Sequence, residues 1–340
     1  MSIHCFYHSA DLDGHCSGAI VKYRFPKAIM HPINYGDVFP WEEIGEEDVV
    51  YMVDFGLQPF DPEMIYLMNR TNLCWIDHHH SAIEEHRKWY AKNSTPALDY
   101  LLLEGIRDTS KSACELTWEY LFPDQPVPLA VKLLSLYDSW TYEGHELEPM
   151  VLLFQMRMRM ESLDPRNQEA FDAVWISLFH DDPIEDMIEE GKLLLRYDEE
   201  QKRQYAQMYG FETKMPIRKE TWSNADRAKD PSIVPPHISA IALNIGMSNS
   251  KVFDSVWRKG CDYLPHIDLD VGVCPRCNGL GHIEPYDLMI TFCRRSDRKW
   301  NVSLYSTKAD IDCGAIAKSF GGGGHKGAAG FQCTELPFDY

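Results

Sequence analysis

The sequence predicts an α/β chain in two lobes: a mostly parallel sheet with flanking helices, then a smaller α+β domain across a cleft. Three observations carry the prediction. Short runs of β-forming apolar residues at 3–8, 49–55 and 73–76 each end in carboxylate or imidazole side chains. Helical spacing occupies residues 15–25 and 62–70 between them, and βαβ units of this kind pair their strands in parallel and bind ligands outside the strands' carboxyl ends. The chain has 340 residues, too many for one ordinary domain, and β-type signal returns only after a polar stretch near 223–236.

In chain order, the strand at 3–8 leads through a polar turn at Gly14 into the helix at 15–25, which Pro26 stops. The strands at 49–55 and 73–76 repeat the first design, with the helix at 62–70 crossing between them. Residues 112–122 and 128–137 carry apolar side chains at helical spacing and are expected to pack on the sheet, with Asp138 directly after the second. Another helix is expected at 167–181. Ile184, Met187, Ile188, Gly191, Leu194 and Leu195 form one stripe on a long segment reaching 209, whose charged end at 197–205 reads as the connection between lobes. The expected division is a first domain at 1–196, a linker at 197–236 and a second domain at 237–340. The second domain has strands expected at 238–243, 288–292 and 300–305, and a helix at 313–320 that runs into four glycines.

Asp and Glu number 52 against 33 Lys and Arg, and the resulting net charge of −19 opposes binding of a long or duplex nucleic-acid backbone. Short phosphorylated substrates fit this balance, as does plain solubility. The N-terminus does not read as a signal peptide, and no apolar stretch reaches the roughly 18 residues that span a membrane. A soluble, cytoplasmic protein without membrane association is expected. The ten cysteines are scattered, which suits reduced thiols better than a disulfide framework.

The most telling run is Trp75-Ile76-Asp77-His78-His79-His80, three imidazoles after a carboxylate at the end of a buried-looking strand. Imidazole and carboxylate together suit a divalent cation, which offsets the cost of burying them. Three further clusters lie at element ends: His8, Asp11 and Asp13 with Gly14, then Asp54, then Asp138. Singly, each has an ordinary reading as an Asx turn, a loop cap or a helix cap. The run Gly321–Gly324 before His325 lets backbone N–H groups approach an anion, although by composition alone such a run reads as a linker. Cys274 and Cys277 have the spacing of one zinc knuckle, with Cys261, His266, His282 or Cys293 as candidates to complete a structural Zn site and a free dithiol as the alternative. A redox role suits the pair less, because it does not sit at a βα turn.

Taken together, these motifs resemble the DHH phosphoesterase superfamily, which includes RecJ-like exonucleases, nanoRNase/pAp phosphatases and cyclic-dinucleotide phosphodiesterases. His8-Ser9-Ala10-Asp11-Leu12-Asp13-Gly14 resembles the first motif, Val53-Asp54 the second, Asp77-His78-His79 the third and Asp138 in Leu-Tyr-Asp-Ser-Trp the fourth. Gly321-Gly322-Gly323-Gly324-His325-Lys326-Gly327-Ala328-Ala329-Gly330-Phe331 resembles the signature of the DHH-associated C-terminal domain. The Cys274/Cys277 segment is not part of that pattern.

The resemblance implies two divalent cations, usually Mn. His8, Asp11 and Asp54 would hold one, and Asp13, Asp54, His78 and Asp138 the other, with Asp54 as the bridge. Asp77 would orient His78, and His79 would face the substrate phosphate. His80 lies outside the motif and is expected to be structural or solvent-facing. Two ions about 4 Å apart lower the pKa of a shared water and stabilise both oxygens of an in-line displacement, so the implied nucleophile is hydroxide rather than a Ser or Cys side chain. Gly322, Gly323, Gly324 and His325 would grip the terminal nucleotide. No spare segment exists for an added nucleic-acid module, so a nanoRNase-like exonuclease on short oligonucleotides is expected. A cyclic-dinucleotide or cyclic-oligonucleotide phosphodiesterase and a pAp phosphatase are the rival enzymes. A nucleotide-binding regulator with a decayed site is the non-enzyme rival, disfavoured because every implied ligand is present.

Overall fold

Alternation along the first strand determines how the N-terminal sheet is buried. In β1 (Ile3–His8), Phe6 points into one apolar core with Val50, Met52 and Trp75, while Cys5 and Tyr7 point into another with Val53, Cys74 and Ile76. A sheet covered on both faces is the setting in which parallel strands are found. The pairing is parallel throughout, in the order β2-β1-β3-β4, where β2 is Ile29–Ile33, β3 Val49–Val53 and β4 Asn72–Ile76. The computed structural model describes residues 1–93, 103–217, 237–246, 248–257, 259–260, 267–268, 272–273 and 282–340.

The strand order has a functional consequence. From β1 the chain moves to one side to form β2, then returns past β1 to form β3 and β4. That reversal makes a crevice at the carboxyl ends of β1 and β3, the general place for ligands in open α/β sheets. On one face α1 (Leu12–Arg24) packs with α4 (Ala113–Leu121), α5 (Leu129–Asp138) and α6 (Glu148–Met158) around Ile20, Trp118, Leu134 and Phe154. On the other, α2 (Ile65–Arg70) contributes Leu67, and α3 (His80–Asn93) contributes Ala82. Burying a side chain such as Phe6 or Leu67, both fully inaccessible, is worth about 1.5–3 kcal/mol each.

The chain divides into two compact units, Met1–Leu195 and Arg196–Tyr340. The long helix Ile184–Tyr209 runs through that division. Within the stretch 197–236, expected to link the lobes, residues up to 217 supply the end of this helix and a strand, β5 (Phe211–Pro216). Residues 218–236, including the polar stretch near 223–236, lie outside the described residues.

The second unit is built on a mixed six-stranded sheet in the order β13-β14-β12-β11-β6-β5. Here β6 is His237–Asn244, β11 Leu288–Arg294, β12 Trp300–Tyr305, β13 Gly323–Gly324 and β14 Ala328–Cys333. The two-residue strands β7 to β10 (Lys259–Gly260, Ile267–Asp268, Gly272–Val273 and His282–Ile283) form separate short pairs. Only β6 and β11 pair in parallel within the large sheet; its other pairs are antiparallel. Ile316 and Ala317 of the helix Cys313–Ser319 pack against Ile290, Val302 and Phe331. The architecture is therefore the expected α/β unit with a parallel sheet, followed by an α+β unit. No described helix is long and apolar enough to cross a membrane, and Cys5, Cys16, Cys74, Cys114, Cys293, Cys313 and Cys333 are free.

Candidate metal centre

The first ligand group arises from the way β1 passes into α1. Asp11 caps the helix by accepting from the Gly14 N–H at 2.9 Å. A Cβ on Gly14 would fall 1.9 Å from the His8 carbonyl oxygen, so only glycine lets the first helical turn sit on the last residue of the strand. This close approach gathers His8, Asp11 and Asp13 at one point. Asp13 is 2% exposed, and its two oxygens accept from the backbone N–H groups of Ala113 and Cys114, each at 2.8 Å. The N-terminus of α4 thus fixes the orientation of the Asp13 carboxylate through two main-chain donors. Ala113 and Cys114 act through main-chain atoms, which left no sequence signal beyond an ordinary helix start.

Asp54 follows β3 with φ of 55°, a left-handed conformation that Asp tolerates better than most residues. It is 1% exposed, and its two oxygens look in different directions. Oδ2 lies 3.5 Å from His8 Nδ1; Oδ1 lies 3.3 Å from His78 Nε2 and 3.7 Å from His79 Nδ1. His78 Nε2 is also 3.3 Å from Asp138 Oδ2 and 3.6 Å from Asp13 Oδ2. His8 Nδ1 is 2.9 Å from Asp11 Oδ2 without the alignment of a hydrogen bond.

Three overlapping groups have their ligand atoms within 4.8 Å of one another: His8, Asp11 and Asp54; Asp13, His78 and Asp138; and Asp54, His78 and His79. All six sequence-derived ligands, His8, Asp11, Asp13, Asp54, His78 and Asp138, come together at the carboxyl ends of β1 and β3. Asp77 departs from expectation. Its Oδ1 accepts from the His79 backbone N–H at 3.0 Å and lies 2.8 Å from His79 Nδ1, so it holds His79 rather than His78. His80 opens α3 and is exposed. The aromatic Tyr35, which sequence reasoning passed over, packs on Phe55 at 4.8 Å and lies edge-on to His8 and His79.

Crowded carboxylates perturb one another. Burial and then Asp13 push the Asp54 carboxyl well above its ordinary range. The same two causes raise Asp138 to about 7. Asp11 and Asp54 beside it hold His8 up at about 10.

These residues fit a pair of divalent cations. Both Asp54 oxygens and His8 Nδ1 are buried without a hydrogen-bond partner. A buried, unpaired carboxylate costs several kcal/mol, by order of magnitude, unless a cation offsets it. The mixed imidazole and carboxylate donors suit Mn, Fe, Co or Zn.

In the second unit the glycine run forms the sheet-edge strand β13. Gly322 is excluded from carrying a Cβ by the Gly330 carbonyl oxygen at 2.1 Å, and Gly324 has φ of 139°. Gly323 has neither constraint, with nothing within 4 Å of its Cβ position. His325 is exposed, and its backbone N–H donates to the Ala328 carbonyl at 2.7 Å. Cys274 and Cys277, with Cys261 and His266, lie outside the described residues.

No protein-family model matches the chain. A curated relative, an uncharacterised protein of Acanthamoeba polyphaga mimivirus, is 24% identical over 234 residues, 67% of this chain and 44% of that protein. The chain thus spans less than half the length of this relative. Among solved structures, it is similar to the pGpG-specific phosphodiesterase PggH of Vibrio cholerae, with 12% identity and a TM-score of 0.46 over 98% of this chain and 93% of that one. An exopolyphosphatase-related protein of Bacteroides fragilis gives 13% identity and a TM-score of 0.41 over 98% and 87%. RecJ of Thermus thermophilus, in complex with Mn2+, gives 16% identity and 0.38 over 97% and 49%.

Proposed function

We propose that this chain is a dimetal phosphoesterase of the DHH superfamily that hydrolyses short oligonucleotides as a nanoRNase-like exonuclease in the cytoplasm. The observation that carries the reading is Asp54, a buried carboxylate with one oxygen toward His8 and the other toward His78, placed to serve both ligand groups. The ordered match of the sequence motifs to that superfamily supports it independently.

When bound, two divalent cations supply a water of lowered pKa and neutralise charge on the phosphate oxygens. His8, Asp11 and Asp54 would hold one, while Asp13, Asp54, His78 and Asp138 would hold the other. The N-terminus of α4 holds the Asp13 side chain in place. Although burial opposes it, the Asp77 carboxylate holds the pKa of His79 up. With its Nδ1–H donating to Asp77, the protonated His79 ring has Nε2–H left to donate to a substrate phosphate oxygen. Imidazole ligands favour Mn over Mg. The exposed backbone at Gly323 and the His325 side chain are the candidates for holding the nucleotide's phosphate.

The test is Mn-dependent hydrolysis of a panel containing a diribonucleotide, a dideoxyribonucleotide, pAp and a cyclic dinucleotide. Turnover of the diribonucleotide that stops with chelator is expected. Faster turnover of pAp or the cyclic dinucleotide would move the assignment to one of the rival enzymes, and no turnover of any member would contradict the phosphoesterase reading.

A further inference from the structure

Beside the metal centre lies a cavity of about 360 Å³, between the start of α1 and the pair α5–α6. It shares Asp11, Asp13 and Asp138 with the metal ligands. Its other walls are apolar at Leu12, Leu134 and Leu163, and polar at His15, Gln155, Tyr137 and Arg159. This volume is within the range, roughly 300–1,000 Å³, of pockets that bind small molecules.

Two of the polar residues each carry one buried atom without a protein partner. Gln155 is 3% exposed on the buried side of α6, where its neighbours Val151, Phe154 and Met158 are fully buried, and its Oε1 has no protein partner. Leu or Met would fill that position without leaving an acceptor unpaired. His15 donates from Nε2 to the Ser9 carbonyl at 3.1 Å, and its buried Nδ1 is likewise without a protein partner. Unpaired buried acceptors are costly unless something supplies a donor.

Tyr137 and Arg159 form one part of the cavity wall. The Arg159 guanidinium donates to the Tyr137 hydroxyl at 2.9 Å and lies 5.8 Å from the centre of that ring, which locks the two into one wall. Trp140 stacks beside Tyr137 at 6.2 Å, is 67% exposed and has φ of 55°. An exposed Trp held in a left-handed conformation is the sort of local strain that gathers at ligand sites.

We propose that this cavity binds a nucleobase of the substrate, with Gln155 and His15 meeting its polar edge and Tyr137 and Arg159 its face. The inference rests on the nucleotide-substrate reading above.

Calorimetric titration of the Mn-loaded full chain with AMP, GMP, CMP, UMP and ribose 5-phosphate tests it. At least one nucleotide should bind about tenfold tighter than the base-free sugar phosphate, because base stacking and edge contacts add to the phosphate contacts. Gln155→Leu should weaken the preferred nucleotide about tenfold, the effect of one lost hydrogen bond, and leave ribose 5-phosphate unchanged. Arg159→Met, at an exposed position, should do the same in smaller measure and serves if Gln155→Leu does not fold. Equal binding of ribose 5-phosphate, unchanged nucleotide affinity in the folded variants, or equal loss for ribose 5-phosphate would each overturn the base pocket. Diribonucleotide hydrolysis followed in parallel separates the two readings. Its absence with base-dependent binding intact contradicts the phosphoesterase alone, whereas hydrolysis with binding unmoved by either substitution contradicts the pocket alone.

Discussion

Asp54 is where the cost of the site is concentrated. It is buried, carries no hydrogen bond on either oxygen and faces two imidazoles from different segments. Asp54→Asn should therefore have opposite effects on stability and activity. Without metal the variant should be more stable than the parent by about 1–3 kcal/mol, since a buried carboxyl that burial and Asp13 hold above its ordinary range is replaced by a neutral amide. With Mn its hydrolysis should fall by about a hundredfold or more, the scale of losing one transition-state stabiliser. Paired thermal melts and rates check both; a less stable metal-free variant would show that Asp54 is a structural residue. The ligand types at this scale were legible because His8, Asp11 and Asp13 are close in sequence, as are Asp77 and His78. The partner of Asp77 was not legible. Leaving an extended strand, residues two apart face the same side, so Asp77 meets His79 and not its immediate neighbour.

The passage from β1 into α1 shows how much an element's end can decide. Gly14→Ala would drive a Cβ against the His8 carbonyl, displacing the helix that Asp11 caps and that carries Asp13. A loss of about 1–3 kcal/mol is expected from overpacking alone, read as a lower melting temperature together with weaker Mn binding; a variant with parental values in both would contradict the assembly described. A second tie joins β1 to the loop before the helical stretch at 168–179. The buried Tyr7 hydroxyl donates to Asp164 at 2.8 Å, and Arg166 pairs with the same carboxylate. Burial opposes the ionised form, but Arg166 and Tyr7 outweigh it and lower Asp164 to about 2. Its folded pKa lies below the unfolded value, so the stabilisation is present above about pH 4 and is lost as pH falls toward 2. Allowing for partial exposure, Asp164→Asn should cost about 1 kcal/mol at pH 7 and almost nothing near pH 2. A cost independent of pH would locate the effect elsewhere. The strands β1, β3 and β4 and the helices α1, α4 and α5 were readable from period and breakers. β2 was not, because His31 and Pro32 interrupt a short edge strand. α6 was missed because its apolar residues are not confined to one stripe. Gln155 and the cavity it lines were hidden with it.

At the scale of the whole molecule, a net charge of −19 opposes the phosphate substrate that the proposed function requires. In the proposed function, bound cations would offset this locally, and the remaining charge would discourage long strands, which lose most from a repulsive surface. The two-unit plan was legible from length and from the return of β-type signal after a polar stretch. The place of the division was less so, since the helix Ile184–Tyr209 is continuous through it and the strand β5 pairs with β6 just beyond. The alternating polar residues of Phe211–Pro216 read as connection because the strand is at the sheet's edge, where one side meets solvent. The central claim is a two-cation centre organised by Asp54, and anomalous diffraction at the Mn edge from Mn-soaked crystals tests it most directly. Two peaks are predicted, one among His8, Asp11 and Asp54 and one among Asp13, Asp54, His78 and Asp138, about 4 Å apart with Asp54 between them. A single peak, or density away from Asp54, would contradict the account.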